Sequence, residues 1–380
     1  MNMLMASWTP RRREGGVAGV IHNLAGELER MGHHVDCLFL EDVLDGGREQ
    51  ERFDDARFAW KLSRRIQREP GKYSVVNIHA PVGFVYGIMR RAGWTGNSPP
   101  YVLTLHGLEE RRVHAMKREQ KKGRAWHFGW KNRMWHRLYT LPMYRLAIRT
   151  ADYGMVLNRE AWSYVQIRYD QDASRFRYVT NGVEERFFQS RVYPPSVAPR
   201  LLYVGSWLDQ RGIYYIAEAL KILAERLPGV HLTVAGCHNQ AAEVKKYFAA
   251  SLHDRITVIP FVEAPRMPEI YAAHDIFLFP SLMEGLPLAV LEAMAGGMPV
   301  VTTESCGMPD VVTDDVNGLL VPPADTGAII EAVMRLADSP ELRQRLGQAA
   351  QRTVRSNTWD KIAARVEHLL VLAEQDGRAQ

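Results

Sequence analysis

Residues 275–301 read DIFLFPSLMEGLPLAVLEAMAGGMPVV. The apolar run Ile276 to Phe279 is short and bounded by Asp275 and Pro280-Ser281, the pattern of a buried strand. Leu288, Leu291, Met294 and Ala295 then recur at helical spacing. A second strand follows over 299–303. Strand, loop, helix and strand in that order build a parallel α/β sheet. Two carboxylates stand eight residues apart in this unit, Glu284 on the loop and Glu292 inside the helix. A helix N-terminus presents unpaired backbone N–H groups and suits an anion, of which phosphate is the obvious one. An ionised carboxylate two turns deeper is a two-oxygen acceptor for a pair of sugar hydroxyls. Donors for phosphate beside acceptors for hydroxyls describe a site for a nucleotide sugar. A solvent-facing glutamate on an amphipathic helix fits the same spacing, so the pair alone does not decide.

The alternation extends in both directions. Upstream, strands are predicted at 3–7, 35–40, 74–78, 101–105, 154–157 and 178–180, with helical patterns between most of them. The first helix carries Val17, Val20, Ile21, Leu24 and Leu28 on one face and ends at Gly32. Three prolines between 194 and 199 fit neither a helix interior nor a central strand, and read as a linker. The pattern then restarts with strands at 201–205, 230–235, 256–260, 276–280 and 299–303. Helices are predicted at 213–227 and 242–252, from 326, from 341, and from 358 toward 374. The expected fold class is α/β. Two Rossmann-like doubly wound domains, 1–195 and 196–357, would face each other across a cleft at the carboxyl ends of their strands.

Composition bounds the class. The chain has 380 residues, 46% apolar and 24% charged, which is enough for two ordinary soluble domains. Cys37, Cys237 and Cys306 are odd in number and far apart, which argues against a disulfide framework or zinc site and suits a reducing compartment. No run approaches the roughly 18 apolar residues of a membrane span. Met1 to Trp8 is too short for a signal-peptide core, so a cytoplasmic location is expected. Residues 1–195 hold 32 Lys/Arg against 21 Asp/Glu, and residues 196–380 hold 16 against 22. That asymmetry points to an anionic surface or ligand on the N-terminal side. G-x-G-x-x-G, G-x-x-x-x-G-K-[ST] and G-x-S-x-G are all absent, which removes the main support for dehydrogenase, P-loop and hydrolase readings.

The run from Glu284 to Val301 resembles the signature of the retaining glycosyltransferases of family 4, where the same loop, two glutamates and Gly-x-Pro-Val-Val strand recur. The likeness covers most of the chain from Gly15 onward and is looser between about 40 and 175. It implies the GT-B architecture, with an N-terminal domain for the acceptor, a C-terminal domain for the donor, and a last helix, 358–380, packing back on the first domain. Gly15-Gly16, after the first strand, corresponds to a glycine pair that faces the donor phosphate. Alone it is equally a tight turn. His106, closing Thr104-Leu105-His106-Gly107, corresponds to a histidine at the donor sugar, with His79 as a neighbour behind it. Residues 202–212 resemble the family's phosphate clamp: Arg211 keeps one basic position, and Ser206 stands where the other Arg is usual. Asn181-Gly182-Val183 matches an element whose work is turn geometry. Phe261 and Val262 match the border of the base, and core packing fits them equally.

The implied reaction moves a sugar from a UDP- or GDP-sugar to a hydroxyl with retention, through an oxocarbenium-like state. Arg211 would hold the diphosphate, Glu284 with the backbone of Gly285 and Leu286 the sugar, and Glu292 the ribose. No cofactor or metal is expected. Asp170-Gln171-Asp172 spells a metal-diphosphate motif of another class and reads here as a solvated turn. Residues 111–149 hold 12 Lys/Arg against Glu119 alone, interleaved with Trp126, Phe128, Trp130, Trp135, Tyr139 and Tyr144. Such a segment suits an anionic membrane surface, or a basic helical face whose aromatics enter the core. No nucleic-acid motif accompanies it. The family implies a glycan or lipid-linked acceptor in bacterial cell-surface polysaccharide synthesis, with peripheral attachment to the inner membrane face. The rival readings are a non-hydrolysing nucleotide-sugar epimerase and a non-catalytic nucleotide-sugar-binding protein.

Overall fold

Two six-stranded sheets, every pairing parallel, organise the described residues. The computed structural model describes all residues except 12–15, 45–50, 95, 97, 125–127, 190–198 and 380. The chain forms two compact units. The first comprises Met1–Val113, His127–Gly182 and Trp359–Gln380, the second His114–Trp126 and Val183–Thr358.

In the first unit the strands are β1 (Asn2–Ala6), β2 (His34–Leu38), β3 (Val75–His79), β4 (Tyr101–Leu105), β5 (Tyr153–Val156) and β6 (Phe176–Tyr178). Their spatial order is β2-β1-β3-β4-β5-β6, which puts the topological switch between β1 and β3. All five residues of β3 and of β4 are buried. Strands covered on both faces read as continuous apolar runs, so these two were plain in the sequence. The helix Gly16–Arg30 buries Val20, Ile21, Leu24 and Leu28 and packs on the C-terminal helix Trp359–Ala379. That helix buries Ile362, Val366, Leu369 and Leu370 and also reaches β3 and β4. Tyr153 Oη donates to Asp376 at 2.5 Å and fixes its far end.

In the second unit the strands are β7 (Arg200–Val204), β8 (His231–Ala235), β9 (Ile256–Ile259), β10 (Ile276–Phe279), β11 (Val300–Thr303) and β12 (Leu319–Val321). The order β12-β11-β10-β7-β8-β9 reverses direction between β7 and β10. The loops leaving those two strands therefore flank one crevice, the place where open α/β sheets bind ligands. Leu202, Phe277, Phe279 and Val301 are fully buried at the centre of this sheet.

The structure departs from the sequence-based expectation in four places. The passage between units falls at 182/183, earlier than the proline-rich stretch suggests; most of that stretch lies outside the described residues. Phe187 already packs edge-on against Tyr271 of the second unit, which explains the early crossing. Residues 114–126 belong with the second unit although they precede β5. The predicted helix 242–252 is a short helix, Ala241–Lys245, and a separate 3₁₀ turn, Ala250–Arg255. Val244, Phe248 and Leu252 are all buried, so the break preserves a helical spacing of apolar residues. Strand β12 was missed because three residues carry too little periodicity.

Candidate active site

The crevice of the second unit is built by the β7 and β10 loops. Gly205 follows β7 with φ +128°, a conformation that L side chains rarely adopt. The Arg211 guanidinium lies across it: a Cβ on Gly205 would stand 2.2 Å from Arg211 Nη1. Arg211 closes the 3₁₀ turn Asp209–Arg211, and its guanidinium carbon sits 5.7 Å from the centre of the Phe279 ring. Its Nε lies 2.8 Å from Glu284 Oε1, close enough for an ion pair but misaligned for a hydrogen bond. Burial opposes the charge on Arg211, and Glu284 and Tyr203 outweigh it, holding the guanidinium above its ordinary pKa. A charged fork whose Nε–H has no aligned partner, at a sheet switch point, is equipped for an anion.

The second loop is fixed to the first. Leu282 N–H donates to Gln210 C=O at 2.8 Å, and Ser281 Oγ donates to the same carbonyl at 3.2 Å. Glu284, Gly285 and Leu286 follow, just before the helix Leu288–Ala295. Gly307 supports this loop from behind, since a Cβ there would stand 2.0 Å from the Gly285 carbonyl oxygen. Backbone against backbone has little room to yield. Gly307→Ala is therefore expected to destabilise the fold by about 1–3 kcal/mol, as overpacking does, read as a lower urea midpoint at constant m-value. An unchanged midpoint would show that the loop is free to move.

Glu292 lies one turn into that helix and is half-buried. Its Oε2 accepts from Tyr271 Oη at 2.7 Å. Burial pushes its carboxyl up to about 7, with Glu184 adding to the shift and the Tyr271 hydroxyl opposing it. Tyr271 is itself buried, and burial and Glu292 hold its phenol well above the ordinary value. Sequence reasoning missed Tyr271, 21 residues upstream of Glu292 on the preceding helix, because no local pattern connects the two. Phe261, on the loop after β9, is 53% exposed, so core packing does not explain it; Val262 beside it is buried. His238, after β8, adopts φ 60° and places its ring 6.5 Å from that of Phe261. Ser206 accepts the Tyr203 hydroxyl at its carbonyl, and its own Oγ has no hydrogen-bond partner among the described residues.

In the first unit, His79 ends β3 and His106 follows β4. The imidazoles stack with centroids 4.8 Å apart, and His79 Nδ1 lies 2.6 Å from His106 Nε2. Burial holds His79 well below the usual histidine range and takes His106 to about 4, so both rings are neutral at pH 7. One proton then lies between the facing nitrogens. His79 Nε2 is buried without a partner. An orphaned buried N–H is rarer than an under-satisfied acceptor. His79 therefore carries its proton on Nδ1 and donates it, and His106 keeps its own on Nδ1. Gly16 is exposed, with φ 60°. Gly15 lies outside the described residues, as does Trp126.

The remaining motifs have structural roles. Gly182 is where the Trp359 ring packs, a Cβ there falling 2.5 Å from the indole. Asp170 caps the helix Arg159–Tyr169 at φ 53°, and Asp172 accepts the Ser174 N–H at 2.7 Å in an exposed turn. Among the described residues no group of three or more His, Cys, Asp or Glu could hold a metal ion. No helix among them is long and apolar enough to cross a membrane.

Comparison with known proteins places this geometry. Residues 14–187 match the model for Glycosyltransferase Family 4 and residues 186–353 that for Glycosyl transferases group 1. Alpha-D-kanosaminyltransferase of Streptomyces kanamyceticus is 31% identical over 153 residues, 40% of each chain. The chain spans less than half the length of the first curated relatives it matches. Sucrose-phosphate synthase of Thermosynechococcus elongatus superposes with a TM-score of 0.79 over 100% of both chains at 19% identity. HepE of Anabaena, solved in complex with UDP-glucose, superposes with a TM-score of 0.68 over 98% of this chain and 99% of its own at 15% identity. At these identities the solved structures share the fold, GT-B.

Proposed function

Because the chain belongs to the group 1 glycosyl transferases of family 4, we propose that it transfers a sugar from a nucleoside diphosphate sugar to an acceptor hydroxyl with retention. The observation that carries this is the Arg211–Glu284 pair laid over Gly205 at the β7/β10 switch. Arg211 binds the diphosphate and stabilises its departure, where preorganised charge acts most strongly. Glu284, with the backbone of Gly285 and Leu286, accepts from the sugar hydroxyls and places the anomeric carbon. Glu292 accepts from the ribose, and Phe261 with His238 borders the base. The diphosphate oxygen leaves with the bonding electron pair, and the acceptor oxygen attacks the same face of an oxocarbenium-like sugar. His106, paired with His79 and similar to the family's donor-sugar histidine, is the proposed contribution of the first unit to catalysis. UDP-glucose bound by HepE supports a UDP-sugar, with a GDP-sugar as the alternative donor. The acceptor is a glycan or a lipid-linked glycan of a bacterial cell-surface polysaccharide, reached from the inner membrane face through the part of the basic 111–149 region that belongs to the first unit.

A thermal-shift screen over nucleotide sugars tests the donor site. A true donor at 100 times its Kd adds about 2.7 kcal/mol, and a screen in which no nucleotide sugar raises the melting temperature overturns the reading. Turnover is expected to survive excess EDTA, because Arg211 and helix N-termini bear the phosphate charge. Activity lost to EDTA and restored by Mg²⁺ or Mn²⁺ would instead place that charge on a metal.

A further inference from the structure

The basic segment 111–149 divides by what its cations already do. In the second unit Lys122 Nζ donates to Tyr215 Oη at 2.9 Å, and Arg124 pairs with Glu218 and lies 4.5 Å from the Tyr215 ring centre. Tyr215 in turn donates to Glu119 at 2.7 Å. These cations hold the 114–126 segment to its own unit.

The first unit treats its share differently. An uninterrupted helical run extends from Trp130 to Thr150, with π-helical geometry over His136–Thr140. Trp130, Met134 and Leu138 stand 65%, 47% and 67% exposed at i, i+4 and i+8. Single exposed apolar residues are ordinary, but three large ones in file along a helix mark an interaction surface. Lys131, Arg133 and Arg137 are exposed beside them. The run contains five Lys/Arg and no Asp or Glu. Phe53, half exposed, packs against Trp135 and Tyr139 with ring centroids 5.0 Å away in each case. It joins this run to the helix Asp54–Arg68, whose outer side shows Trp60 beside Lys61 and Arg64. A groove of about 810 Å³ runs there, lined by Trp60, Lys61, Arg64, Arg65 and Arg68, with Asp42 and Glu69 at its acidic side.

We propose that this face, the 130–138 stripe with Phe53 and Trp60, seats the first unit on an anionic lipid bilayer; this rests on the reading of a lipid-linked acceptor. An interfacial helix pairs apolar side chains at acyl depth with cations at headgroup depth, and that is the arrangement here. Nucleic acid is the poorer occupant, since Met134 and Leu138 offer no stacking surface to bases. The 130–138 stripe carries cations and no carboxylate, and so offers a zwitterionic surface little to attract.

The test is co-sedimentation of the full chain with vesicles of phosphatidylcholine alone or with 30% phosphatidylglycerol. Binding is expected to the anionic vesicles only and to weaken with salt. At about 1 kcal/mol per engaged cation, Lys131→Gln with Arg133→Gln and Arg137→Gln lowers the partition coefficient roughly a hundredfold. Trp130→Ser with Met134→Ser and Leu138→Ser lowers it at least tenfold even at low salt. Lys117→Gln with Lys121→Gln, exposed on the other unit, leaves it unchanged. Because every substituted side chain is exposed, melting temperatures should stay near that of the wild type. Nucleoside diphosphate binding, measured by calorimetry on the same variants, reports the donor site separately: its absence sinks the transferase reading and leaves the docking result standing. Wild type that ignores anionic vesicles, prefers an oligonucleotide to them, or loses binding only through Lys117 and Lys121 overturns the proposal.

Discussion

Replacing Glu284 with alanine is expected to lower turnover about a hundredfold or more, while the free nucleoside diphosphate binds as tightly as before or tighter. The asymmetry follows from the geometry. Glu284 Oε1 sits 2.8 Å from Arg211 Nε, so the carboxylate competes with phosphate for the same guanidinium. Removing it releases Arg211 for the nucleotide. The sugar, however, loses the acceptor that holds its hydroxyls as positive charge develops at the anomeric carbon. Losing one preorganised polar group aimed at a developing charge costs about 10²–10³ in kcat, and an interaction that strengthens in the transition state appears in kcat rather than in binding. The alanine variant also leaves a largely buried guanidinium unpaired, which destabilises a fold. Glu284→Gln is the companion: it keeps the shape and an acceptor oxygen and removes only the charge. Turnover within tenfold of wild type in both variants, or diphosphate affinity falling as far as turnover, would rule out Glu284 as the sugar-holding group.

The sheet strands and the site loop were legible because their causes are local. The residues of β4, Tyr101–Leu105, and of β10, Ile276–Phe279, are all buried, and burial on both faces writes itself into the sequence as an apolar run. Glu284 and Glu292 were legible because a loop and a helix separated by eight residues give each a different environment. What stayed hidden depends on partners distant in the chain. Tyr271 meets Glu292 only because its helix and Leu288–Ala295 flank the same strand, β10. His238 and Phe261 approach because β8 and β9 are neighbours. The basic segment shows the limit most clearly. Charge and aromatics along 111–149 look uniform, yet Lys122 and Arg124 bind Tyr215 and Glu218, about 90 residues away, while Trp130, Met134 and Leu138 stand in solvent. Which cations are free is a property of tertiary structure, and no period in the sequence encodes it.

Glu292 should show opposite effects on stability and on binding, separable by pH. Burial lifts its carboxyl from the ordinary 4.5 to about 7. Between those values the folded chain keeps a proton that the unfolded chain has released, so stability falls as pH rises through the window. The penalty is absent below about 4.5 and complete above about 7. Glu292→Gln is uncharged at every pH and escapes it. The variant is therefore expected to melt higher than wild type at pH 8, with the gain fading toward pH 5. Nucleotide affinity should move the other way. The ionised carboxylate offers both oxygens to the ribose hydroxyls, and a hydrogen bond to a charged group is worth roughly 1.5–3 kcal/mol, so the variant should bind the nucleoside diphosphate about 10- to 100-fold more weakly at pH 8. At pH 6 only about a tenth of the wild-type carboxyl is ionised, and wild-type affinity should drop by about tenfold on that account. The nucleotide's own phosphate titrates nearby, but it does so equally for both proteins, so their ratio isolates Glu292. Calorimetry and melting curves on the pair at pH 5, 6, 7 and 8 measure both effects. A ratio of affinities that stays constant across that range would place the ribose elsewhere, and a variant no more stable than wild type at pH 8 would mean that the carboxylate is solvated rather than buried against Tyr271.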